Sequence, residues 1–276
     1  MFGEGPDLAV LLHGWPETGL AWREVAPLLA EAGWRVACPD LKGFGRTTSG
    51  DRSFTPRRLA DEMSRLIRGL HVRKAAVVGH DWGGAVALAT AFRHPGRVRG
   101  LVLSNSPYRN VDLRRAWHIP LLNLPVLPEA AAWLAPRVLV ALAIRVAAEA
   151  GDAFPADVRA EYARGIKAGR WLGYCRTLPR RAASEWVRGR LRRALPVVSD
   201  PQPPHRLRVP ASVVWGMRDP VLPPELGRRA ADDLDASFVP IDGAGHFPHE
   251  EDPEAFARGV LDLIGPAAGE EELAGA

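Results

Sequence analysis

The sequence predicts an α/β protein with a mostly parallel sheet. Two observations carry this reading. Short apolar runs rich in Val and Leu alternate with longer segments of helical period, and turn residues separate them. The alternation stops once, between about residues 107 and 205, and then resumes, so the core is interrupted by a single helical insertion.

The elements follow in chain order. LAVLLHG (8–14), WRVACPD (34–40), KAAVVGH (74–80) and VRGLVLSN (98–105) read as strands, because each is a short apolar run bounded by turn or charged residues. WREVAPLLAEAG, PRRLADEMSRLIRGL and WGGAVALATAFRHP lie between them and carry helical periodicity. The insertion has Pro-rich connections such as IPLLNLPVLPE, helical stretches at 129–149 and 155–170, and no convincing strand. PASVVWG (210–216) and ASFVPI (236–241) return to strand character, with PPELGRRAADDL and DPEAFARGVLDLI as helices; the Gly, Ala and Glu tail after 265 reads as frayed. The expected division is a core part at 1–106, a helical lid at 107–207 and a second core part at 208–276. The lid is expected over the carboxyl ends of the strands, where open α/β sheets bind ligands.

Composition excludes several classes. At 276 residues the chain buries a sizeable core without staples, and its two cysteines, Cys38 and Cys175, lack metal-ligand spacing. The start MFGEGPDLAVLLHG has neither a basic region nor a long apolar one, and no later uncharged run is long enough to span a bilayer. A cytoplasmic protein with no membrane partner is expected. The net charge of +4 hides a segment, 107–205, with fifteen Arg and one Lys against four Asp and four Glu, or +8. No aromatic and basic pattern accompanies it, so solvated helix faces are expected rather than nucleic-acid binding. The expected partner is a small molecule, and the expected assembly a monomer or homodimer.

Residues 79–84, GHDWGG, put Asp81 where a strand turns sharply into a helix. Gly79, Gly83 and Gly84 supply the small residues that a strained nucleophile turn needs. Alone, an Asp there could simply cap the helix. Two partners appear downstream: Asp219 in WGMRDP, just past a strand, and His246 in GAGHFPHE, just past the next. Nucleophile, acid, histidine is the chain order of a strand-end catalytic triad. HGWP (13–16) follows the first strand and is placed to form an oxyanion hole, with backbone donors from Trp15 and Trp82. His13 and His80 read as structural, and His249 as solvated near a helix cap.

HGWPETGLAWREVAPLLAEAGWRVACPDLKGFGRT, GHDWGG, WGMRDP and GAGHFPHEEDPEAF together resemble the α/β hydrolase superfamily, in its aspartate-nucleophile branch of epoxide hydrolases and haloalkane dehalogenases. The resemblance covers roughly 8–106 and 208–264. It implies that Asp81 attacks a saturated carbon to leave an alkyl ester, which water activated by His246, oriented by Asp219, then hydrolyses. A carboxylate suits this chemistry because its alkyl ester can be hydrolysed, whereas the ether left by a serine could not. Neither a metal nor an organic cofactor is implied.

Trp15, the aromatic residue of HGWP, resembles epoxide hydrolases, which favours epoxide opening to a diol. Such enzymes also use two lid tyrosines to protonate the opened oxygen. The candidates here are Tyr108, Tyr162 and Tyr174; Tyr162, on an amphipathic stretch, reads equally well as a packed core residue. Haloalkane dehalogenation is the alternative, with Trp82 and lid tryptophans as halide donors. A non-catalytic small-molecule-binding protein on the same fold is a third reading. Members of the superfamily usually carry a hairpin before the HGxP strand, so the first one or two strands are expected to be missing or shortened.

Overall fold

A computed structural model describes residues 1–48, 53–108, 124, 126–173 and 207–267. Six strands form one sheet in the order β2-β1-β3-β4-β5-β6, every neighbouring pair parallel. They are β1 (Leu8–Leu12), β2 (Arg35–Ala37), β3 (Ala75–His80), β4 (Val98–Ser104), β5 (Ala211–Gly216) and β6 (Ser237–Ile241), each inside the segment read as strand from sequence. No strand precedes β1 among the described residues; a single antiparallel bridge, Phe2 to Val36, lies beside β2.

The runs are almost continuously apolar because both faces of the sheet are covered. Leu8, Val10 and Leu12 of β1 and Val77 of β3 point to one face, where α2 (Pro56–Gly69), α3 (Trp82–Arg93) and α7 (Pro224–Leu234) pack. Ala9, Leu11, Ala76 and Val78 point to the other, against Val25, Ala26 and Leu29 of α1 (Val25–Glu31) and Phe256 and Val260 of α9 (Pro253–Ile264). Two helix starts carry the cap their sequence announces. The Thr55 side chain accepts from Arg58 N, and that of Asp252 from Ala255 N, each followed by proline at the first helical position.

Between β4 and β5 lie α4 (Leu127–Leu134), α5 (Pro136–Ala147) and α6 (Ala156–Ile166). The stretch 129–149, read as one helical run, is two helices bent by 100°. Pro136 explains the break: its ring disfavours helical backbone at Ala135, which sits at φ −135° and ψ 46°. No single described helix is long and apolar enough to cross a membrane.

The strand order reverses between β1 and β3. The chain leaves β1 for the outer β2 and returns to β3 on the other side, opening a crevice at the carboxyl ends of these two strands. The HGWP loop and the GHDWGG turn both emerge there. Gly79 makes that turn possible, since a Cβ on it would lie 2.5 Å from Gly83 O and 2.6 Å from Gly84 Cα. Gly79→Ala is therefore expected to lower stability by about 1–3 kcal/mol, measured as a lower urea midpoint with an unchanged m-value.

Candidate active site

Asp81 closes the step from β3 into α3 with φ 46° and ψ −119°, a strained backbone for a residue other than glycine. The amides of Gly84 and Ala85 bond its carbonyl, and Asp81 N donates to Ser104 O, so the turn is held from both sides. The carboxylate stands at the N-terminal end of α3, where the helix dipole favours negative charge. Trp15 N donates to Asp81 Oδ2 at 3.1 Å, and Trp82 opens the helix next to it. Of the two expected oxyanion-hole donors, the Trp15 amide meets an oxygen of Asp81.

His246 Nδ1 lies 2.7 Å from Asp219 Oδ2 and must donate, because the carboxylate only accepts. Asp219 is held in turn: Oδ1 accepts from Val221 N (2.7 Å) and Leu222 N (2.9 Å), and Oδ2 accepts from Asn105 Nδ2 (2.7 Å). Asn105 Oδ1 accepts from Gly216 N at 3.0 Å, so one amide ties the ends of β4 and β5 to the acid. Sequence reasoning missed Asn105. Its one signal is its place, directly after a strand, and it has the positive φ of 38° that asparagine tolerates.

A second buried network lies behind the first. Glu17 Oε2 accepts from Gly14 N at 2.8 Å and contacts His80 Nδ1 at 3.0 Å, while Oε1 contacts His249 Nε2 at 2.8 Å. His80 Nε2 reaches the His246 carbonyl at 2.8 Å. The structural reading of His80 and His13 fits these contacts: His13 Nε2 accepts from Leu41 N at 2.9 Å, fixing the chain after β2. The solvated reading of His249 does not. It is fully buried and its ring lies 4.4 Å from that of Trp22. The pattern that would have revealed it is His246 and His249 three residues apart at the start of α8 (Pro248–Glu251), with an acid in the HGWPE loop to receive it. Ligand atoms of Glu17, His80 and His249 lie within 4.8 Å of one another. Their contacts at 2.8 and 3.0 Å are hydrogen-bond distances, so a carboxylate bridging two imidazoles accounts for the cluster without an ion.

Of the candidate phenols, Tyr162 on α6 is fully buried and donates to Glu250, whose other oxygen lies 2.5 Å from Arg23 Nη1. It packs as a core residue. Burial pushes the Glu250 carboxyl up to about 8 despite the nearby Arg23, and burial together with Glu250 raises the Tyr162 phenol. Tyr108 is buried just past β4. Tyr174 lies outside the described residues. Trp171, at the end of the described insertion, packs on Trp15 with ring centroids 5.4 Å apart.

Burial alone would strip the proton from His246. The charge and hydrogen bond of Asp219 overrule it, helped by Asp81 and Glu17, and raise His246 to about 9. For Glu17, burial favours the acid, but the charges and hydrogen bonds of His249 and His80 hold it well below the usual carboxylate range. His249 is pushed down to about 4, by burial before all else. Asp81→Asn removes one negative charge that favours the imidazolium, so His246 is expected to titrate below its wild-type value, which imidazole NMR would follow without any turnover.

A family model described as the alpha/beta hydrolase fold matches residues 9–253. Epoxide hydrolase B of Mycobacterium tuberculosis is 38% identical over 107 residues, 38% of this chain and 30% of that protein's length. The AB hydrolase superfamily protein YfhM of Bacillus subtilis is 28% identical over 274 residues, 95% of this chain and 91% of the relative. Among solved structures, epoxide hydrolase VrEH1 from Vigna radiata superposes with a TM-score of 0.78, covering 95% of this chain and 92% of that one; at 22% identity the likeness is one of fold.

Proposed function

Because the chain belongs to the alpha/beta hydrolase fold family, we propose that it is a hydrolase working through an ester on Asp81, and that it opens epoxides to diols. The observation that carries the proposal is the carboxylate at the elbow. Asp81 stands at the sharp turn from β3 into α3, with one oxygen held by Trp15 N–H, and its charge acts on a histidine paired with Asp219. The stretch shared with epoxide hydrolase B supports the choice of substrate.

In the first step Asp81 Oδ1 attacks an epoxide carbon, the carbon–oxygen bond of the ring breaks, and the oxygen leaves as an alkoxide that takes a proton from a phenol of the insertion, read here as a lid. Tyr162 is engaged by Glu250, so this role falls to Tyr174 or Tyr108. Alkylation removes the charge of Asp81 and with it part of what holds the His246 proton. The imidazolium can then give up its proton, which restores the phenol, and the neutral imidazole that the ester needs as a base is left. His246 then takes a proton from water, the hydroxide adds to the Asp81 carbonyl carbon, and the N–H groups of Trp15 and Trp82 stabilise the oxyanion. Losing one such donor typically slows reaction about 10²–10³-fold. Collapse expels the diol oxygen, which takes the proton His246 removed from water, and the new carboxyl ionises to restore a carboxylate that now carries an oxygen from water.

One observation favours halide release as a second reading. The Trp15 indole Nε1 is buried with no hydrogen-bond partner among the described residues, a free donor on the residue that already binds Asp81. Styrene oxide and a set of chloro- and bromoalkanes separate the two readings by diol or halide yield. In a single turnover in heavy-oxygen water, the label is expected in the Asp81 carboxyl and not in the first diol. Asp81→Asn is expected to abolish turnover, and full activity in that variant would overturn both readings.

A further inference from the structure

Three consecutive backbone N–H groups, those of Gly245, His246 and Phe247, define the loop that presents His246. None of them bonds within a strand or helix, and all three are satisfied. Gly245 N donates to Glu251 Oε2 at 3.2 Å and Phe247 N to Glu251 Oε1 at 3.1 Å, while His246 N donates to Ala147 O at 2.9 Å, the end of α5 in the insertion. Glu251 Oε2 also accepts from Glu149 N (2.8 Å) and Ala150 N (2.9 Å) in the turn that follows α5. One carboxylate thus gathers four amides, two on each side of the boundary between core and insertion.

The packing leaves little slack. A Cβ on Gly245 would lie 2.7 Å from Glu149 N and 2.8 Å from Ala147 O, so only glycine lets the two backbones approach this closely. The acid's loop joins the same cluster: Arg218 N donates to Ala244 O at 2.9 Å, and Arg218 Nη1 bonds Glu149 Oε1 at 2.6 Å. Asp219, the next residue, is the one that orients His246.

We propose that Glu251 is a positioning residue, whose carboxylate fastens the turn after α5 and the amides of both residues flanking His246 into one unit, so that seating of the insertion sets the geometry of the base. The proposal rests on the reading of Asp81 and His246 given above. Ester hydrolysis depends on His246 and ester formation on Asp81, so loosening the clasp slows the second step more than the first. A displacement of about 1 Å in a catalytic group costs up to about 10²-fold in rate.

The test compares wild type, Glu251→Gln and Glu251→Ala after circular dichroism has established that each is folded. Glutamine keeps one acceptor oxygen and alanine none, so effects are expected in the order Ala greater than Gln. The first readout is the His246 imidazole titration by NMR. Asp219, Asp81, Glu17, His80 and His249 all face or lie close to this ring, and of these the loosened loop moves it chiefly against Asp219, lowering the midpoint from about 9. The second is mass spectrometry during turnover of styrene oxide, where the Asp81 ester is expected to accumulate as kcat falls about 10- to 100-fold. A folded Glu251→Ala variant that titrates as wild type and turns over without accumulating ester overturns the proposal. Should Glu251→Ala not fold, Glu251→Gln decides alone by the same criteria. A shifted titration in a protein whose wild type opens no epoxide would uphold the clasp and refute the epoxide reading, so the two failures are distinguishable.

Discussion

The carboxylate of Glu17 holds the site together. It is fully buried, and such a charge is tolerable only where donors surround it. Gly14 N, His80 and His249 are those donors, and they come from the loop after β1, the end of β3 and the helix after β6. The Trp15 amide can point at Asp81 because the loop that carries it is anchored one residue earlier, at Gly14. The His246 carbonyl rests on the other side of the same His80 ring. The three loops of the candidate site are thus fixed relative to one another by one side chain that touches none of the reacting groups.

The fold was legible because a parallel sheet covered on both faces writes its strands as apolar runs, and all six strands fall inside the expected segments. The Asp81, Asp219 and His246 candidates were legible for a related reason: in this topology the groups sit at strand ends, so chain order and strand order together predict their convergence. What stayed hidden was everything whose role comes from contacts across the fold. Glu17, Asn105, His249 and Glu251 are polar residues in or beside loops, and nothing local separates a polar residue on the surface from one that is buried and fully bonded. The break at Pro136 was written in the sequence but outweighed by a continuous apolar pattern on either side of it.

Tyr162 shows how a residue type misleads when only its position in a segment is known. A phenol in the insertion invites a role with substrate, but this one lies against Glu250 and Arg23, joining α6 to the helix that follows His246. With Glu251 clamping the turn after α5, adjacent acids of one short helix hold two different parts of the insertion. The core carries the Asp81, Asp219 and His246 candidates, and its last loop also carries the seat of the insertion.

The crowding at the elbow has a consequence for how such a protein can change over generations. A Cβ at Gly84 would fall 1.5 Å from Ser106 Oγ, and one at Gly83 would fall 2.1 Å from Leu12 O. Any single step away from glycine here meets a side chain or the backbone of a neighbouring strand, so these codons are nearly closed to drift whatever substrate is under selection. Inheritance is expected to keep this turn as it stands, so that change around the crevice comes from positions other than these glycines.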